Sequence, residues 1–267
     1  GPPHSESVDI ERKCIGTAHE YPCGTRSLKT VIMSPLLSLP FMENDRQRVE
    51  KALVASVTTN DAYMTEIASH LISAGGKRLR PVFTIIGSQV GNDKVATEEA
   101  IAGGISCELV HLGSLYHDDV MDESDLRRGV ETVNARWGNL QAILAGDFLL
   151  AKASEIAASL GTEVAGLLAR TIGRLCEGQI EELRHTYNVA RTVDSYLDSI
   201  DGKTAALYST AARIGGLVAG HDRAVVDALT AYGTAYGMVF QIVDDVLDLT
   251  ATDEELGKPA GNDMKEG

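Results

Sequence analysis

Two acidic clusters of one form, Asp118-Asp119-Val120-Met121-Asp122 and Asp244-Asp245-Val246-Leu247-Asp248, each close a long apolar run of helical spacing. On a helix the first and last carboxylates of such a cluster are i,i+4 neighbours. They lie one turn apart on one face and repel by roughly 0.2–0.5 kcal/mol. A divalent cation turns that repulsion into ligation. One such cluster is an ordinary solvated helix end; two, 126 positions apart (244 − 118), point to metal binding.

The rest of the chain reads as helical. Aromatic residues are only 5% of the composition, and Ala, Leu, Ile and Val are abundant. No strand alternation and no Gly-x-Gly-x-x-Gly phosphate loop occurs, so the expectation is all-α with nine or ten helices. The apolar spacing predicts helices over 43–56, 61–73, 82–91, 97–121, 139–159, 162–187, 193–217 and 222–249. Val49, Leu53 and Val57 face inward on the first. Asp61 is the expected N-cap of the second and Thr162 that of the sixth. Residues 1–33 lack periodicity and read as a disordered leader or a vector-derived segment, leaving 34–267 as one domain; 92–94 reads as a turn and 252–267 as a loop.

The net charge of −14 leaves no basic stripe for nucleic-acid phosphates and excludes a nucleic-acid binder. The four cysteines, at 14, 23, 107 and 176, form no Cys-x-x-Cys pair. Zinc is not expected, Cys107 and Cys176 read as buried thiols, and a reducing, cytoplasmic compartment follows. No apolar run reaches the length of a membrane span.

Three smaller features carry chemistry. Gly75-Gly76 followed by Lys77-Arg78-Leu79-Arg80-Pro81 is a flexible turn into a helix start flanked by three cations, which is either an anion site or a merely soluble basic helix start. Gly103, Gly104, Ser106, Gly113 and Ser114 are small residues on one core helix and leave either close helix contact or empty space. Gly202-Lys203 inside a helical pattern predicts a kink that turns the ammonium inward. His111, seven residues before Asp118 on the same face, reads either as a core histidine or as a group reaching a ligand held by the carboxylates.

Taken together these segments resemble the trans-isoprenyl diphosphate (polyprenyl) synthases. The likeness runs through residues 75–81, His111, the first acidic cluster with Arg127-Arg128-Gly129, Gly146-Asp147, Gly178-Gln179, Lys203-Thr204 and Phe240 to Asp245, and it covers about residues 43–266 in order. The resemblance implies an all-α isoprenoid synthase bundle around a deep central cavity, usually a homodimer. It implies head-to-tail condensation of isopentenyl diphosphate with an allylic diphosphate, using two or three magnesium ions. By the same resemblance the metal ligands are Asp118, Asp122, Asp244 and Asp248, with Asp119, Asp245 and Lys203 completing the catalytic set. Arg127, Lys203, Thr204, Gln241 and Lys258 would contact the allylic diphosphate, and Lys77, Arg80, His111 and Arg128 isopentenyl diphosphate. In the family a bulky residue four or five positions before the first acidic cluster ends the product early. Ser114 and Gly113 stand there, with Val110 below, so the floor is expected to be open and the product long, about six or more isoprene units; a greasy product would bring the protein to a membrane surface.

The family continues past the position of Gly267 with another lysine and further helices, so a missing C-terminal wall is expected. A class I terpene cyclase is the nearest alternative, but it needs no second diphosphate pocket. A non-catalytic subunit that modulates a synthase partner is the other; it has no need of intact magnesium carboxylates.

Overall fold

The computed structural model describes residues 42–91 and 95–250. The leader, the 92–94 turn, the closing loop with Lys258, and Cys14 and Cys23 lie outside the described residues. Those described form ten α-helices: α1 (Met42–Val57), α2 (Ala62–Ser73), α3 (Leu79–Ser88), α4 (Glu98–Met121), α5 (Val133–Trp137), α6 (Asn139–Ser159), α7 (Thr162–Arg184), α8 (Val193–Ile200), α9 (Ala206–Val218) and α10 (Arg223–Thr250). A five-residue π-helical turn, Asp201–Ala205, joins α8 to α9. The helix α4 is the central post, lying along α6 and against α3 and α9, while α9 also lies along α10.

Sequence sets these elements locally. Asp61 caps α2 by accepting from Tyr63 N at 2.9 Å and Met64 N at 3.3 Å, worth about 1 kcal/mol. Val49, Leu53 and Val57 recur at helical spacing on α1 and are all buried. The fully buried Tyr116 of α4 donates from Oη to the carbonyl of Ile67 at 2.8 Å, fastening the post to α2.

Several expectations are corrected. A two-residue hairpin, β1 (Leu126–Arg127) and β2 (Val130–Glu131), follows α4. Its loop is Arg128-Gly129 with φ of 54° and 77°, and a hairpin loop with both central residues in the left-handed region matches the twist of the strands. Strands of two residues are too short to show alternation, which is why the pattern missed them. The segment after the hairpin, which falls between the predicted helices 97–121 and 139–159, forms α5 with Thr132 as cap. Gly161, not Thr162, occupies the N-cap of α7, and α7 ends at Arg184 rather than near 187. Cys107 is buried, but Cys176 is exposed on α7.

Candidate active site

The π-helical turn is the hub of the site, and two glycines explain it. A Cβ on Gly178 would lie 2.6 Å from the Lys203 backbone nitrogen, and one on Gly202 would lie 2.9 Å from the Arg174 carbonyl. The α7 backbone therefore touches the turn directly, and the wider π-helical winding delivers Lys203 and Thr204, neighbours in sequence, to different partners. Lys203 Nζ pairs with Glu182 of α7 and also feels Asp118 of α4 and Asp122, which caps the C-terminus of that helix. Burial works against its ammonium, but these carboxylates outweigh it and hold its pKa above the usual lysine value. Thr204 Oγ1 donates to Gln241 Oε1 at 2.8 Å on α10. The expected kink is thus a π turn that faces the first acidic cluster through Lys203 and the α10 residue Gln241 through Thr204.

In the first cluster the carboxylates are partly stripped of water. Burial pushes Asp118 up to about 6; Lys203 and Arg127 oppose the shift and Asp122 reinforces it. Burial also raises Asp119 and Asp122. Asp119, 1% exposed, accepts from Arg127 Nε at 2.5 Å through Oδ1, while its Oδ2 is buried without a hydrogen-bond partner. The β1–β2 hairpin delivers Arg127 to that bond.

On α10 the second cluster presents Asp244 and Asp248 one turn apart, with Asp248 buried. Asp245 Oδ1 accepts from Gln241 Nε2 at 2.7 Å and its Oδ2 from Tyr196 Oη at 2.5 Å. Among the described residues no three His, Cys, Asp or Glu side chains gather closely enough to hold a metal ion by themselves. A hard dication held by one or two carboxylates, water and substrate phosphate does not require such a cage. The all-oxygen donor set and the orphaned Asp119 oxygen fit a cation of that kind.

A cluster of cations surrounds His111, two turns before Asp118 on α4. Arg80, Arg128, Arg127 and Arg78 all act on His111, which burial first and then these charges push well below the usual histidine value, so it is neutral. Arg80 lies over the Tyr208 ring at 4.8 Å and its Nε is buried without a hydrogen-bond partner. Arg128 Nη1 donates to the Gly75 carbonyl. Lys77 is exposed beside the glycine turn. Arg78 is different: with φ of 50° it is buried, binds Glu50 at 2.8 Å and Glu108 at 3.4 Å, and donates to the Ile72 carbonyl, so it builds the turn instead of facing a ligand.

The chain-length positions are packed more tightly than expected. A Cβ on Gly113 would lie 3.0 Å from the Gly146 carbonyl and 3.2 Å from Leu150 Cγ, so this glycine lets α4 and α6 close on each other and is not an open floor. Val110 is fully buried. Ser114, half-buried, donates to the His111 carbonyl at 2.9 Å. The Gly146-Asp147 pair has a like purpose, since Gly146 gives room to the His117 ring and Asp147 lies 3.5 Å from His117 Nε2. Sequence reasoning passed over Tyr196, Glu182 and Glu108. Glu182 follows Gly178-Gln179 by one helical turn, a spacing that places it on the face Gly178 presents to the turn.

A polyprenyl synthetase profile matches residues 61–267. This chain belongs to the polyprenyl synthetase family. It is 41% identical over 220 residues to nonaprenyl diphosphate synthase of Mycobacterium tuberculosis, covering 82% of this chain and 65% of that protein. It is 41% identical over 228 residues to heptaprenyl diphosphate synthase component 2 of Geobacillus stearothermophilus, covering 85% and 71%. The chain thus spans about two thirds of the length of these curated relatives. Among solved structures, heptaprenyl diphosphate synthase from Staphylococcus aureus superimposes with a TM-score of 0.81 at 37% identity over 86% of this chain and 72% of that one. A polyprenyl synthase from Caulobacter crescentus, complexed with calcium and isoprenyl diphosphate, gives 0.81 at 35% identity over 87% and 70%. The fold of this polyprenyl synthetase family member is accordingly the all-helical isoprenoid synthase bundle, and no described helix is long and apolar enough to cross a membrane.

Proposed function

We propose that the protein is a magnesium-dependent prenyltransferase that condenses isopentenyl diphosphate with an allylic prenyl diphosphate, head to tail, to give a long all-trans polyprenyl diphosphate. The observation that carries this reading is the π turn, from which Lys203 lies in the field of the first acidic cluster and Thr204 bonds Gln241, whose amide in turn donates to Asp245 of the second. Magnesium, two or three ions held by Asp118, Asp122, Asp244 and Asp248, would supply neutralisation of the leaving diphosphate. The chain's own groups do the rest. Lys203, Arg127, Thr204 and Gln241 orient the allylic diphosphate, and Lys258 is proposed to join them. Lys77, Arg80 and Arg128 bind the second diphosphate without metal, with His111 neutral and therefore able to donate one hydrogen bond without adding charge. Separating the two diphosphates in this way leaves one to depart and the other to be carried forward. The allylic C–O bond breaks, the isopentenyl π-bond attacks the cation, and the proton lost from the new chain goes to the released diphosphate, so no side-chain base is needed.

A long product is supported by the heptaprenyl and nonaprenyl relatives and by the absence of a bulky side chain at Ser114. A second subunit is supported by the exposed Leu140, Ile143 and Leu144 on α6. We take it to be a copy of this chain; the component 2 relative, by its name one part of a synthase, favours a different partner as the second reading. The assay is incubation with labelled isopentenyl diphosphate, an allylic primer and magnesium, followed by chromatographic sizing. Elongated prenyl diphosphates are expected, with Asp118→Ala and Asp244→Ala each abolishing them. Cyclic hydrocarbons, or turnover that survives either substitution, would overturn the reading. Ser114→Phe is expected to shorten the product.

A further inference from the structure

We infer that Tyr196 is a positioning residue for the second acidic cluster, acting through Asp245; the inference rests on the prenyl synthase reading of the site. Tyr196 stands on α8 and bonds the second cluster. Its phenol donates to Asp245 Oδ2 at 2.5 Å, the short range of a charge-assisted O–H···O bond. The other oxygen of Asp245 takes Gln241 Nε2 at 2.7 Å, and that amide accepts from Thr204 Oγ1 at 2.8 Å. Every donor and acceptor in this series is fixed in direction. Asp245 takes one donor on each oxygen, which orients the Gln241 amide and leaves its oxygen to Thr204. Tyr196 and Thr204 therefore hold the ends of one relay whose middle belongs to α10.

The consequence concerns Asp244, the neighbouring carboxylate. With both oxygens of Asp245 drawn toward α8 and Gln241, the α10 backbone is fixed in rotation at that point, and Asp244 is turned a further 100° round the helix, to a set direction. Tyr196 itself is well placed to act as an anchor. Its helix is capped by Thr192, which accepts from Ser195 N at 3.2 Å, and Ser195 Oγ lies 3.1 Å from Glu181 on α7. Glu181 precedes Glu182, the partner of Lys203, so two consecutive glutamates of α7 locate the α8 start and the π turn. Arg191 lies over the Tyr196 ring at 5.8 Å and fixes its plane.

The test compares wild type, Tyr196→Phe, Asp245→Ala and the double variant. Titration calorimetry with inorganic pyrophosphate, with magnesium and with chelator, isolates the magnesium-dependent binding. Loss of an outer partner of a ligand set weakens such binding on the order of tenfold, and that loss is expected for Tyr196→Phe. The KM for the allylic diphosphate should rise with it while the KM for isopentenyl diphosphate stays unchanged. Tyr196→Phe should add nothing in the Asp245→Ala background, where the acceptor of its phenol is gone. Equal binding by wild type and Tyr196→Phe, a parallel rise in both KM values, or independent losses that multiply in the double variant would each overturn the role of Tyr196. Wild type that neither binds pyrophosphate with magnesium nor elongates a primer would instead bring down the prenyl synthase reading on which the role depends.

Discussion

Replacing Gly178 by alanine tests whether the contact between α7 and the π turn places Lys203. By propensity alone the change stabilises a helix by about 0.8–1.0 kcal/mol. The new methyl group, however, would lie 2.6 Å from Lys203 N, 2.9 Å from Ser199 O and 3.0 Å from Gly202 C, all backbone atoms with no rotamer in which to retreat. Relief requires α7 and the turn to separate by several tenths of an ångström, and overpacking of this kind costs about 1–3 kcal/mol. The steric term wins, leaving a net loss of roughly 0–2 kcal/mol, or up to several degrees in Tm for a chain of this size. Because the displaced atom is the backbone of Lys203, the kcat for primer elongation should fall further than stability does. Gly173→Ala is the control: it lies on the same helix, is exposed, and a Cβ there would meet nothing within 4 Å. It should gain up to about 1 kcal/mol and keep normal kinetics. Thermal melts beside steady-state kinetics decide the matter. A Gly178→Ala protein as stable as Gly173→Ala, with unchanged kcat, would refute the argument.

Asp118→Asn should stabilise the protein in chelator while abolishing turnover. The folded pKa of about 6 lies above the ordinary carboxylate value, so between about pH 4 and 6 the folded state binds more protons than the unfolded chain and wild-type stability falls as pH rises through that window. The gain from asparagine, about 1–3 kcal/mol at pH 8, should shrink toward zero near pH 4; urea melts across this range check it, and a gain independent of pH would contradict it. Arg78→Ala should destabilise by about 3–5 kcal/mol, since it strands Glu108, 2% exposed, and also removes the partner of Glu50. Adding Glu108→Gln should restore part of that loss, as measured by chemical denaturation.

Much of the bundle was legible because its signals are local. Periodicity placed the long helices to within a few residues, and Asp61 announced its own capping bonds. The aspartate, lysine and arginine residues were marked by the cost of holding charge on apolar helices. What stayed hidden was set by contacts across the chain. Gly113 looked like open space because a sequence shows the missing side chain but not the Gly146 carbonyl that fills its place. Arg78 looked equivalent to Lys77 and Arg80, yet its left-handed backbone turns it inward to Glu50 and Glu108. Tyr196 carried no signal of its own, because its importance lies in reaching Asp245, 49 residues away.

The placement of charge also explains how a chain can carry six aspartates in two clusters and still fold. Carboxylates from one cluster are not left to face each other alone. Asp119 is paired with Arg127 from the hairpin, Asp118 and Asp122 share the field of Lys203, and Asp245 is held by Tyr196 and Gln241. Apart from Gln241, which shares α10 with Asp245, the compensating groups come from other elements, so the clusters become tolerable mainly as the tertiary structure assembles. The compensation is also incomplete at Asp118, whose carboxyl remains well above its ordinary pKa. That residual cost is the useful part. On the proposed function, a dication arriving with a diphosphate would be attracted by the desolvated carboxylates and would relieve that cost, while Lys203, still anchored to Glu182, would remain in position for the anion. The burial of Asp118 that costs stability is, on the proposed function, what would draw the ligands in.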